Sequence, residues 1–135
     1  MDQDGDFSAV EKARAILVVD DDVQVLKWVC RMLVSIGCSR IFQASSTAEA
    51  LEIWGQNSNE IGLLLSDFVM PELTGDFLAL RLLSDKPALR VLFISGNDPN
   101  SLDSAIPLEQ GRNFLQKPFT VTDIKRYVRN ASPAE

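Results

Sequence analysis

Ile16-Leu17-Val18-Val19-Asp20-Asp21 is a run of four large aliphatic residues cut off by two carboxylates. Consecutive apolar residues with no polar alternation describe a strand covered on both faces, as in a parallel sheet. The pattern recurs downstream. Ile61 to Ser66 runs into Asp67, Arg90 to Ile94 into Ser95, and Asn113 to Leu115 into Gln116-Lys117, while Arg40 to Ala44 completes a set of five that begins with Ala15 to Val19.

Between these strands the apolar period changes from continuous to helical, the alternation expected of βαβ units. Leu26, Val29, Cys30, Leu33 and Ile36 share one helix face, and Gly37 supplies a left-handed cap. Ser46-Thr47-Ala48-Glu49 has capping-box spacing, which starts a second helix through Ala50, Leu51 and Trp54 with Gly55 as its close. A third helix is expected from about Gly75 to Ser84. The fourth crossover allows only about two turns, around Leu102, Ala105 and Ile106, because Pro99 can open a helix and Pro107 ends it. The last helix opens near Thr120 and turns Ile124, Tyr127 and Val128 inward.

The expected fold is therefore α/β: a flavodoxin-like (βα)5 doubly wound sandwich on a five-stranded parallel sheet in the order 2-1-3-4-5. One domain is expected over residues 15–130, with a polar N-terminal extension, 1–14, and a short C-terminal tail, 131–135. The 135 residues suffice for a core without disulfides or a structural metal. Cys30 and Cys38 match no zinc or redox spacing and read as unpaired thiols. Nineteen acidic against 13 basic residues, a formal charge of −6, argue against direct nucleic-acid binding. No apolar run is long enough to cross a bilayer and Met1 to Arg14 lacks a signal peptide's apolar core, so no membrane insertion and a cytoplasmic location are expected. The chain has no histidine, which removes His-based triads and any internal phosphohistidine.

In an open parallel sheet the ligand site lies beyond the carboxyl ends of the strands, where strand order reverses. Asp20 and Asp21, Asp67, Ser95 and Lys117 all end strands and so converge on that edge. Each alone has a plainer reading, since Asp after a strand is a common helix cap or turn former, and Asp22 is explained that way. Together they form a crowded carboxylate cluster that a cation stabilises. All-oxygen ligation points to Mg²⁺. Lys117 offers a compact positive charge to phosphoryl oxygens. Metal, ammonium and hydroxyl are the inventory of phosphoryl transfer, with the Asp67 carboxylate as nucleophile, expected to be already ionised at neutral pH.

Four segments carry a family resemblance: Ile16 to Asp21, Ser66-Asp67-Phe68-Val69-Met70-Pro71-Glu72-Leu73-Thr74-Gly75, Phe93-Ile94-Ser95-Gly96, and Phe114-Leu115-Gln116-Lys117-Pro118-Phe119. In order and spacing, from about Ala15 to Asn130, the chain resembles the receiver domains of bacterial response regulators. The resemblance implies a phosphoacceptor in two-component signalling that is not an enzyme in its own right. Asp67 would accept the phosphoryl group, Asp20, Asp21, Asp67 and the Val69 carbonyl would hold Mg²⁺, and Lys117 would complete the site. Ser95 and Phe114 would form the switch, with Phe114 turning inward on activation. The Lys117-Pro118 bond is similar to one that is cis in the family.

The implied partner is a histidine kinase or histidine phosphotransfer protein, and the resemblance leaves room for a homodimer. Thr74 stands where Asp is frequent, Ser95 where Thr is commoner, and the shortened fourth crossover resembles receivers attached to hybrid sensor kinases. Trp28 and Trp54 have no motif role and read as packing residues. Three rival readings exist. An aspartate-nucleophile phosphatase would need an acid two residues after Asp67, where Val69 stands. A flavin binder would not present Asp20-Asp21-Asp22 to a phosphate. A binding module that is never phosphorylated would have no use for the complete acidic set.

Overall fold

The computed structural model describes residues 14–130; the expected extension over 1–14 and the tail over 131–135 fall, but for Arg14, outside the described residues. Five parallel strands are interleaved with four helices. These are β1 (Ala15–Val19), α1 (Val23–Ser35), β2 (Ile41–Ala44), α2 (Thr47–Asn57), β3 (Ile61–Asp67), α3 (Gly75–Asp85), β4 (Arg90–Ser95), β5 (Phe114–Gln116) and α4 (Val121–Asn130). The sheet order is β2-β1-β3-β4-β5, as expected.

Strand alternation divides the core in two. Ile16, Val18, Leu63, Leu65, Leu92, Ile94 and Leu115 face α1 and α4, meeting Leu33, Ile124 and Tyr127. Leu17, Val19, Leu64, Phe93 and Phe114 face α2 and α3, meeting Trp54, Leu78 and Leu82. Both faces are covered, which is why the strands read as unbroken apolar runs. Each fully buried leucine contributes roughly 1.5–3 kcal/mol.

The helix ends follow local chemistry. The Asp22 carboxylate accepts from the Gln24 and Val25 amides and caps α1, confirming its structural reading. Gly37, at φ +104°, follows the end of α1, and the Cys38 amide returns to the Leu33 carbonyl. Ser46 caps α2 through the Glu49 amide. Thr120 and Asp123 cap α4 reciprocally. Cys30 and Cys38 are unpaired thiols.

Two helix expectations fail. Gly55 does not close α2, which runs on to Asn57; isolated Gly is tolerated inside a helix when neighbours sustain it. The fourth crossover holds only a 3-10 turn, Pro99–Ser101, so Leu102, Ala105 and Ile106 are not helical. Its amides are taken by side chains instead: Asp98 accepts from the Asn100 amide, Asp76 from Ala105 at 2.7 Å, and Ser104 from Ile106. Such bonds compete directly with the helical ladder. Leu102, Ile106 and Leu108 still pack on the α2–α3 side of the core.

Trp54 is 2% exposed and is a packing residue as expected. Trp28 departs from that reading, being 40% exposed and stacked on Phe119 with ring centroids 5.2 Å apart.

Candidate phosphoacceptor site

The carboxyl ends of β1 and β3 set three carboxylates side by side, and one oxygen from each of Asp20, Asp21 and Asp67 lies within 4.8 Å of the others. Asp20 is buried and held at both ends. Its amide donates to the Ala44 carbonyl, and its Oδ1 accepts from the Asp22 amide at 2.9 Å. Its Oδ2 is buried without a hydrogen-bond partner. Asp21 is exposed. Asp67, the last residue of β3, is 9% exposed and lies in register with Ile94.

Lys117 reaches the cluster from the end of β5. Its Nζ is 3.9 Å from Asp20 Oδ2 and 3.8 Å from Asp67 Oδ1, close enough for attraction and too far for a hydrogen bond. Its amide donates to the Ser95 carbonyl at 2.7 Å, tying the ends of β4 and β5 together, and the Lys117-Pro118 peptide that follows is cis, as the resemblance implied.

The electrostatics correct one expectation. Burial, reinforced by the Asp20 charge, pushes Asp67 up to about 7 despite the opposing pull of Lys117. Burial also raises Asp20. By itself the protein therefore leaves Asp67 only partly ionised at neutral pH, because one ammonium does not offset the burial of the carboxyl and the charge of Asp20 beside it. An all-oxygen donor set containing a buried, unpartnered carboxylate oxygen fits a hard divalent cation.

Ser95 ends β4, is 2% exposed, and accepts the Asn97 amide at its hydroxyl oxygen, 3.1 Å away. Val69 stands two residues beyond Asp67 with its side chain half-exposed. Phe114, expected to turn inward on activation, is already fully buried. Its ring belongs to the core cluster that includes Phe93, against which Leu102, Ile106 and Leu108 pack. The irregular fourth crossover covers that cluster.

Three residues escaped the sequence reading. Gly75, read only as a motif residue and the start of the third helix, closes the β3–α3 loop: its amide donates to the Phe68 carbonyl at 2.7 Å, and a Cβ there would stand 2.6 Å from the Asp67 carbonyl oxygen. Asp76, which carries no motif role in the sequence, is 1% exposed. Tyr127 was read as apolar packing, yet its hydroxyl is bonded to the main chain of Phe114. A side chain's bonding partner from another element leaves no local signal.

An open parallel sheet bearing a buried acid cluster at its carboxyl edge, with a lysine beside it, defines a phosphoryl-accepting signalling domain. The chain belongs to the response regulator receiver domain family, whose profile matches residues 16–129. It is 32% identical over 114 residues to the sensor kinase CckA of Brucella abortus, an alignment that covers 84% of this chain and only 12% of that kinase. Similarity to the response regulator receiver protein CpdR of the same organism is 28% over 113 residues, covering 82% of this chain and 90% of CpdR. The solved receiver domain of the hybrid histidine kinase CckA superposes with a TM-score of 0.70 at 30% identity, covering 87% of this chain and 97% of that one. The protein is thus a phosphoacceptor receiver domain of two-component signalling, and among its described residues no helix is long and apolar enough to cross a membrane.

Proposed function

We propose that Asp67 accepts a phosphoryl group from the phosphohistidine of a histidine kinase or histidine phosphotransfer protein. A carboxylate oxygen attacks phosphorus, the phosphorus–nitrogen bond breaks, and the imidazole nitrogen leaves with the electron pair and is protonated. The 135 residues contain no histidine, so the phosphohistidine lies outside them. The observation that carries the assignment is the position of Asp67: it ends the central strand, faces Asp20 and Asp21, and lies 3.8 Å from Lys117.

Asp20, Asp21 and Asp67, with the Val69 carbonyl, would hold Mg²⁺, and the same chemistry supports the first three. The bound ion would keep the carboxylates ionised and offset charge on the equatorial phosphoryl oxygens. Lys117 holds an ammonium where those oxygens would arrive. Ser95 accepts from Asn97 and so retains its own proton for a phosphoryl oxygen. That bond would form at the expense of the present turn after β4, and the fourth crossover, from Gly96 to Asn113, would carry the change outward. Phe114 reports it from inside the core, by readjusting against that crossover. The domain would act in the cytoplasm with its donor, and the parent protein's output and assembly state lie beyond this site.

A small-molecule phosphodonor with Mg²⁺ tests the assignment by intact-mass measurement. Wild type should gain one phosphoryl group and Asp67→Asn none. Undiminished Mg²⁺-dependent labelling of the variant overturns the role of Asp67, and an inert wild type favours a phosphorylation-independent binding module.

A further inference from the structure

β5 is an edge strand of three residues, hydrogen-bonded to β4 on one side only. Phe93 donates to the Asn113 carbonyl and Lys117 to the Ser95 carbonyl. Alternation then turns the amide and carbonyl of Phe114 away from β4. Groups in that position are normally left to water or to another chain. Here both are bonded within the molecule. The Phe114 amide donates to the Tyr127 hydroxyl at 2.9 Å, and the same hydroxyl donates its proton to the Phe114 carbonyl. The Gly111 amide, from a residue at φ +88°, donates to that carbonyl as well, at 3.0 Å. Two residues on, the Gln116 amide donates to the Gln110 side chain at 3.2 Å.

The Tyr127 hydroxyl, acting as both acceptor and donor, shares with a short parallel bridge from Gln110 the role that a neighbouring strand would play for Phe114. Tyr127 is itself fixed, 5% exposed in the core beneath α4. Lys117 lies three residues beyond Phe114, directly after the same short strand, with its ammonium 3.9 Å from Asp20 and 3.8 Å from Asp67. In so short a strand, with an irregular crossover before it, the outer bonds at Phe114 add to the pairing with β4 that holds the strand.

We propose that Tyr127 is a positioning residue for phosphoryl transfer, its hydroxyl fixing the edge strand that presents Lys117 to the acid cluster. This rests on the assignment of Asp67 as acceptor and Lys117 as the phosphoryl-facing cation. Tyr127→Phe keeps the ring and removes only the hydroxyl. The ring still fills its place in the core, and the Gly111 amide still donates to the Phe114 carbonyl, so the fold should persist.

The experiment measures the rate of phosphoryl uptake from a small-molecule donor at saturating Mg²⁺, together with the Mg²⁺ affinity and the melting temperature. The variants are Tyr127→Phe, Lys117→Ala, the double variant and, as a control, Trp54→Phe, which breaks the Trp54–Asp85 hydrogen bond on the far side of the sheet. Loss of the hydroxyl's two hydrogen bonds, with the carbonyl still bonded to Gly111, corresponds to uptake slower by about three- to tenfold in Tyr127→Phe. Mg²⁺ affinity should be nearly unchanged. Tyr127→Phe should add nothing further once Lys117 is Ala, since two changes acting through one group are not additive. Trp54→Phe should lower the melting temperature without slowing uptake.

A wild-type rate in Tyr127→Phe, or an equal loss in the Lys117→Ala background, overturns the proposal, as does a matching slowdown in Trp54→Phe. If wild type takes up no phosphoryl group, or Lys117→Ala takes it up normally, the underlying assignment has failed instead.

Discussion

Asp67 is held in a state that costs the fold free energy. Its carboxyl sits near 7 because burial and Asp20 disfavour the charge, whereas in the unfolded chain it titrates near 4. Below that value both states are protonated and Asp67 contributes nothing to pH dependence. Between about 4 and 7 the unfolded chain loses the proton first, so stability falls as pH rises, and above 7 the full penalty applies. That penalty is at most about 4 kcal/mol, and solvent reaching the carboxyl lowers it. Asp67→Asn should therefore stabilise the metal-free domain at pH 8 and lose that advantage towards pH 4. Urea midpoints of both proteins in chelator across this range check it; a constant difference would show that the charge is not the cause. The carboxylate character of the site was legible from residue type and position. The raised proton affinity was not, because desolvation depends on what the rest of the chain places around the carboxyl.

Elements set the site through their connections more than through their interiors. The β3–α3 loop returns so closely to β3 that Gly75 leaves no room for a Cβ: it would meet the Asp67 carbonyl oxygen at 2.6 Å and Phe68 Cα at 3.1 Å. Both are backbone atoms, which cannot rotate away. Gly75→Ala should cost about 1–3 kcal/mol, in the range of overpacking, and slow phosphoryl uptake by displacing Asp67; denaturation midpoints with uptake rates measure the two effects. The fourth crossover is fastened by Asp76, whose Oδ2 accepts the Ala105 amide at 2.7 Å. Asp76→Ala removes the carboxyl that holds the amide of the exposed Ala105, for about 0.5–1.5 kcal/mol, and should speed amide exchange over residues 98–109 while leaving β1 and β3 protected. Uniformly faster exchange would show that Asp76 supports the whole fold rather than this segment. Strands, caps and the four α-helices follow from local pattern, apart from the end of α2. The failed fourth-crossover helix does not: Asp98 and Ser104 take amides two residues on, but the Ala105 amide is taken by Asp76 of α3, which only tertiary folding brings there.

At the scale of the molecule, a stable two-layered core forces acids together at one edge, and a cation relieves the resulting repulsion. The proposed Mg²⁺ site exists only in the assembled cluster, so Mg²⁺ should raise the melting temperature. At a concentration about 100 times its dissociation constant the gain is about 2.7 kcal/mol. Chelator should reverse it. The rise should shrink as pH falls below 7, because protonation of Asp67 competes with the ion. Asp20→Asn should show little of it. Calorimetry with and without Mg²⁺ at two pH values tests all of these, and an equal Mg²⁺ effect in Asp20→Asn would move the site elsewhere.

Hydrophobic period by itself determined the parallel α/β sandwich, the strand order and the convergence of Asp20, Asp21, Asp67, Ser95 and Lys117 on one edge, because strands buried on both faces and right-handed crossovers leave few other arrangements. Only the tertiary structure decided the proton affinity of Asp67, the inward state of Phe114, the loss of the fourth-crossover helix and the bonding of Tyr127 to the edge strand. Each depends on groups far apart in the chain whose contact, desolvation or hydrogen bond exists only once the layers have closed.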